Sequence, residues 1–185
     1  PMASKTSSTR SYDMKIGDVT LMITDTPGLG VDSAGIGKEK ENVENIVSHL
    51  NTVDYVDCIC LVIHGRTPRG IAEVKYALSE ISALLPNVAN NNMIICLTNA
   101  SAMLQTSISL KILKDFFKCE IEKDKIFCID NPLCPLLKAR SQNEMQTIVE
   151  DDVKEEFECA GKVFKKILRR VKQFDMLPTA PFMEV

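Results

Sequence analysis

The sequence predicts an α/β fold in which a mostly parallel sheet, with one antiparallel edge strand, is covered by helices on both faces. Three observations support this. Short, continuous apolar runs at Cys58 to Ile63, Met93 to Leu97 and Ile126 to Ile129 have the composition of strands buried on both faces. Segments with apolar residues at helical spacing separate and follow them, so the strands join by crossovers and align in parallel. Ahead of the first run, two alternating segments meet at Gly17-Asp18, which is turn chemistry.

Taken in order, Tyr12, Met14 and Ile16 alternate with Asp13 and Lys15, the half-polar pattern of an edge strand. Val19 to Thr24 returns as a more apolar strand that ends at Asp25, and a carboxylate at a strand's C-terminal end faces the usual ligand crevice of an α/β sheet. Val43, Ile46, Val47 and Leu50 mark an amphipathic helix before the strand at 58–63. Val74, Ala77, Leu78, Ile81 and Leu85 mark a second helix, closed by Pro86 and the Asn90-Asn91-Asn92 cluster. After the strand at 93–97, Leu110, Leu113 and Phe117 mark a third helix. The run at 126–129 then leads into Asn131, Pro132 and Pro135, which force a loop.

A final long helix is expected over about 143–173. Its seam of Val153, Phe157, Ala160, Phe164, Ile167, Val171 and Phe174 suits packing on a sheet and a coiled coil equally well. Its first half is acidic and its second basic, the order that complements the helix dipole. The basic end offers a second, weaker role at an anionic membrane surface. The reading is one domain over 1–175 and a loose, proline-containing tail over 176–185.

At 185 residues, 45% hydrophobic and 25% charged, the chain has the composition of one soluble globular domain. A net charge of -3 and a pI near 5.5 argue against a nucleic-acid partner. No apolar run is long enough to cross a bilayer and no leader opens the sequence, so a cytoplasmic location is expected. The seven cysteines lie mostly in apolar runs, where reduced thiols act as small core residues. Their spacing does not match a zinc ribbon. The first residue is Pro1 rather than Met, which reads as a piece of something longer.

Asp25-Thr26-Pro27-Gly28 at the end of a buried strand has a direct use beside a nucleoside triphosphate. The carboxylate can hold a water of a phosphate-bridging Mg²⁺ ion, and Gly28 lets its N–H approach the γ-phosphate with no side chain in the way. Gly28, Gly30, Gly35 and Gly37 then permit the next segment to move when that phosphate leaves. An ordinary Asp-Thr-Pro-Gly turn is the competing explanation. Asn99 follows one buried strand and Asn131 the next, each opening into the crevice where a purine edge would lie. Either asparagine alone is more often a loop residue capping its own backbone; the pair at successive strand ends is informative. His64, Arg66 and Arg69 follow the strand at 58–63, where a polar strand terminus and a solvated loop are the simpler readings.

These residues resemble septin-related G domains, the family that includes the immunity-associated GIMAP proteins and the chloroplast-envelope Toc receptors, over about residues 3–172. Asp25-Thr26-Pro27-Gly28-Leu29-Gly30 is similar to their switch II motif, and Gly65-Arg66-Thr67 to the Gly-Arg-x-Thr box of the GIMAP branch. Leu97-Thr98-Asn99-Ala100 resembles the Leu-Thr-His-Ala motif of the Toc branch, and Ile129-Asp130-Asn131 the last base-contacting motif. Ala3-Ser4-Lys5-Thr6 resembles the switch I stretch whose hydroxyl ligates Mg²⁺, with Ser4 as the equivalent and Thr6 as the fallback.

The resemblance implies a three-layer, P-loop NTPase-like G domain that binds GTP or GDP with Mg²⁺. It also implies hydrolysis of GTP in the full-length form and self-association as a nucleotide-dependent homodimer. The implied site is Asp25, Thr26, Pro27, Gly28, Thr98, Asn99 and Asn131, with Ser4 and Asp25 on the metal. The chain departs from the family at three points. No Asp reads the guanine edge near Asn99. Leu29 stands where many small GTPases carry the glutamine that orients water, which implies slow hydrolysis. Nothing matches G-x-x-x-x-G-K-[ST], so the first central strand and its phosphate loop are expected to be missing. This chain alone is then expected to be poorly stable and to bind nucleotide weakly. A degenerate, nucleotide-insensitive scaffold assembling through its last helix is the alternative, and a related ATPase is disfavoured by the two asparagines.

Overall fold

The computed structural model of the chain describes residues 6, 8–28, 36–65, 79, 83, 87–100, 113–115, 121–131 and 150–180. Most of the expected helices at 74–85 and 110–117 and the first part of the last helix lie outside them. So do Ser4, Leu29, Gly30, Gly35, Arg66, Thr67 and Arg69. The chain divides into two units: Pro1–Val56 with Arg69–Val88 and Leu177–Val185, and Asp57–Pro68 with Ala89–Met176.

In the first unit the alternating segments form the expected hairpin, β1 (Arg10–Ile16) antiparallel to β2 (Val19–Asp25), with Ile16 opposite Val19 across the turn. Gly17 supplies the left-handed backbone there at φ 61°, which a side chain would strain. The hairpin is a two-stranded sheet of its own, and Tyr12, Met14, Val19 and Met22 stay exposed. Helix α1 (Ile36–Leu50) begins one polar, charged stretch earlier than its apolar stripe indicates. Its last turn carries His49, whose Nε2 lies 3.0 Å from Ser11 Oγ and 3.3 Å from Thr24 Oγ1. The two hydroxyls are themselves 2.9 Å apart, so one ring secures both hairpin strands.

The expected loose tail is partly corrected in the same unit. Leu177–Pro178 form a strand antiparallel to β3 (Tyr55–Val56), and Leu177 and Thr179 are buried. The Thr179 N–H donates to the Asp54 carbonyl at 3.0 Å, and its hydroxyl donates to the Val53 carbonyl. Backbone groups about to be buried need partners, and these bonds supply them despite the proline.

The second unit holds the three buried runs as a parallel sheet in the order β4 (Ile59–His64), β5 (Met93–Thr98), β6 (Ile126–Cys128). β5 is paired on both sides and is the most buried strand, with Ile94, Ile95 and Leu97 almost entirely removed from water. Ile94, Cys96 and Phe127 meet Ile167 of the long helix α2 (Glu150–Val171), and Val163, Val171 and Phe174 close around them. The seam therefore packs on the sheet from Val163 onward, as one of its two readings anticipated, whereas Phe157 stays exposed. Asn92, buried at the foot of β5, donates to the carbonyls of Asp57 and Asp175 and joins three loops. Cys58, Cys60, Cys96 and Cys128 are free thiols. Burial pushes the Cys58 thiol up to about 12, so it stays protonated at neutral pH.

Candidate functional site

Asp25 is the last residue of β2 and is exposed, as a strand-end carboxylate must be to reach a ligand. The Thr6 hydroxyl donates to Asp25 Oδ2 at 3.4 Å, so the fallback hydroxyl stands beside the acid, while Ser4 lies outside the described residues. An exposed carboxylate next to a hydroxyl is a hard-oxygen pair, the donor chemistry that Mg²⁺ takes when phosphate oxygens and water complete its shell. Among the described residues no cluster of three His, Cys, Asp or Glu side chains forms a self-sufficient metal site. Mg²⁺ held partly by substrate does not require one.

Thr26 is exposed, whereas the Pro27 ring is fully buried and anchors the turn. A Cβ on Gly28 would meet nothing within 4 Å, so the space above its backbone is open. The Gly28 carbonyl accepts a hydrogen bond from Asn42 Nδ2 on α1 at 3.2 Å, while the Asn42 Oδ1 is buried without a partner among the described residues. The sequence reading missed Asn42. Its signal was present: an asparagine one turn before Ile46, on the apolar side of a helix where it weakens helicity, needs a polar partner. Asn42→Ala is expected to cost about 1 kcal/mol and to speed amide exchange around Gly28. Unchanged exchange at Gly28 in the variant would show that the clamp does not hold the turn.

Asn99 and Asn131 lie beyond the C-terminal ends of adjacent parallel strands, and both are exposed. The ladder continues past the strands: Ile129 N donates to Leu97 O at 3.0 Å and Gly65 N to Thr98 O at 2.6 Å, fixing where the loops leave the sheet. Thr98 is half-buried opposite His64 in the register. Asn99 takes a left-handed backbone at φ 52°, a conformation asparagine tolerates and β-branched residues do not, and this departs sharply from the strand. Its Nδ2 lies 2.6 Å from His64 Nε2. An unprotonated imidazole nitrogen accepts from this amide, a bond in which the Asn99 carbonyl oxygen takes no part. His64, read from sequence as a plain strand terminus, is therefore the orienting partner of Asn99. The two lie 35 positions apart, which no local pattern reveals.

Two solved structures share this fold. One is Toc33 from Arabidopsis thaliana as a dimerization-deficient mutant, 17% identical, with a TM-score of 0.50 over 66% of this chain and 56% of that one. The other is Toc33 from the same plant in complex with Mg²⁺ and GMPPNP, 18% identical, with a TM-score of 0.52 over 70% and 60%. The chain thus spans less than two thirds of the length of either. No curated protein matches the sequence. The parallel three-stranded sheet and the separate antiparallel pairs, in a chain that shares its fold with Toc33, make this a P-loop NTPase-like α/β fold. Residues 1–99, more than half of the chain, match the model described as 50S ribosome-binding GTPase, and the chain belongs to that GTPase family.

Proposed function

We propose that the protein is a guanine-nucleotide switch of the septin-related GIMAP and Toc type, which binds GTP with Mg²⁺ and hydrolyses it slowly. The observation that carries the reading is the pair Asn99 and Asn131, which emerge from neighbouring parallel strands at one sheet edge. Two amides so placed can address a purine from adjacent loops. Asp25, with Thr6 or Ser4, contacts the Mg²⁺ shell, and the open space over Gly28 leaves its N–H accessible to a γ-phosphate. Mg²⁺ supplies charge neutralisation along the triphosphate. Buried Pro27 keeps the turn of Asp25 to Gly28 in place.

Leu29 offers no group to orient water, so hydrolysis is slow until a partner completes the site. A nucleotide-dependent homodimer across this face is the natural partner, and the Toc33 structures support it in that one of them is a dimerization-deficient mutant. No described helix is long and apolar enough to cross a membrane.

Nucleotide retention by the purified full-length protein tests the reading. Asn131→Ala is expected to lose bound guanine nucleotide, and Asn99→Ala to lose about tenfold in affinity, the scale of one or two hydrogen bonds. His64→Ala is expected to relax the preference for guanine over adenine more than it lowers affinity, because it frees the Asn99 amide to turn. Equal retention by wild type and all three variants would remove the site assignment.

A further inference from the structure

The two halves of α2 differ in environment as well as charge. From Val163 onward the helix joins the core, and Ile167, Val171 and Phe174 pack on β5 and β6. Before Val163 it contributes nothing to that cluster, and Lys154 to Cys159 are all exposed. Glu155, Glu156 and Glu158 therefore stand on a helix surface with water around it.

At the other end, a cavity of about 490 Å³ runs between α2 and the β6 edge. Its floor is apolar, from Ile126, Phe127 and Val163, and its rim is basic, from Lys123, Lys166 and Arg169. Arg170 is already engaged, at 2.7 Å from Glu122 and 3.6 Å from Asp124. Lys166 and Arg169 are exposed and have no acidic partner among the described residues. A groove with an apolar floor and uncompensated positive charge fits an acidic helix.

We infer that two copies of this chain pair through antiparallel α2 helices, the acidic first half of each lying along the basic groove of the other. A two-fold axis requires a self-complementary surface, and one helix carrying acid at its first half and base at its second provides that when reversed against itself. At a period of 3.6 residues, Glu155 and Cys159 lie on the side of the helix that carries Val163, Lys166 and Arg170, so both halves present the same stripe. Glu155, Glu156 and Glu158 of one copy then meet Lys166 and Arg169 of the other. Like charges would coincide in a parallel pair, so the same arrangement sets the orientation. The groove lies at the foot of β6, beside residues 123–128, not among the loops that carry Asn99 and Asn131. The association is thus independent of nucleotide.

Analytical ultracentrifugation of the full chain tests this. Wild type is expected to dimerise, to do so equally with and without guanine nucleotide and EDTA, and to weaken as salt rises. The reversals E155K/E156K/E158K and K166E/R169E each change exposed side chains only, and each is expected to weaken the dimer at least roughly tenfold. Mixing the two variants is expected to restore association as a heterodimer, which a merely misfolded variant could not do. A monomeric wild type, or reversals without effect, or a mixture that stays monomeric, would overturn the inference. So would a monomer whose binding to phosphatidylserine vesicles is lost in K166E/R169E, which would make the basic groove a membrane contact instead. A dimer that forms only with nucleotide would point to the other face and refute this pairing without touching the nucleotide proposal.

Discussion

Asp25→Ala is expected to lower Mg²⁺-dependent guanine-nucleotide affinity of the full-length protein roughly a hundredfold, about 3 kcal/mol, while leaving the fold intact. The carboxylate ends β2 in the open, and its one described side-chain bond is the 3.4 Å contact from Thr6, so little native structure depends on it. Its loss would be felt through the metal, because Mg²⁺ keeps several waters and relies on few protein oxygens to orient them. Titration with a fluorescent guanine nucleotide, with Mg²⁺ and with EDTA, separates the two effects. The variant in Mg²⁺ should resemble wild type in EDTA. If the two proteins differ equally in both conditions, Asp25 acts on something other than the ion.

Ile95→Ala is expected to be the most destabilising single change in the parallel sheet, at about 4 kcal/mol and a fall of about 1.5 M in urea midpoint. Ile95 is fully buried on the strand that pairs on both sides, so neither neighbour can close over the space left behind. Val62→Ala on β4, where the side chain is 63% exposed, serves as the comparison and should cost less than about 1 kcal/mol. Urea unfolding followed by circular dichroism measures both. Similar midpoints for the two variants would mean that β5 is not the structural centre of this unit.

The sequence foretold those features whose signal is local. The buried runs became β4, β5 and β6 because continuous apolar stretches have no stable home except between two covered faces. The hairpin was legible because alternation and a Gly-Asp turn agree on one register. Asp25, Asn99 and Asn131 could be placed for the same reason, since a residue that follows a strand must leave the sheet at that strand's end.

Contacts between elements distant in sequence were hidden. Asn42 on Gly28 depends on which face of α1 turns inward, and His64 on Asn99 depends on β4 and β5 being neighbours. The strand at Leu177–Pro178 has two residues and a proline, too little pattern to distinguish it from a free end until Tyr55–Val56 is seen opposite.

That small pairing bears on how the molecule is made. Tyr55 and Val56 leave the exit tunnel more than a hundred residues before Leu177, so during synthesis their edge waits for a distant mate. Closing so long a loop carries an entropic penalty that grows only slowly with length, and the delay is what matters: the edge of Tyr55–Val56 stays open until Leu177 and Pro178 emerge. A nascent protein halted near residue 170 would carry an open edge that chaperones could recognise, and emergence of Leu177 to Thr179 would seal it.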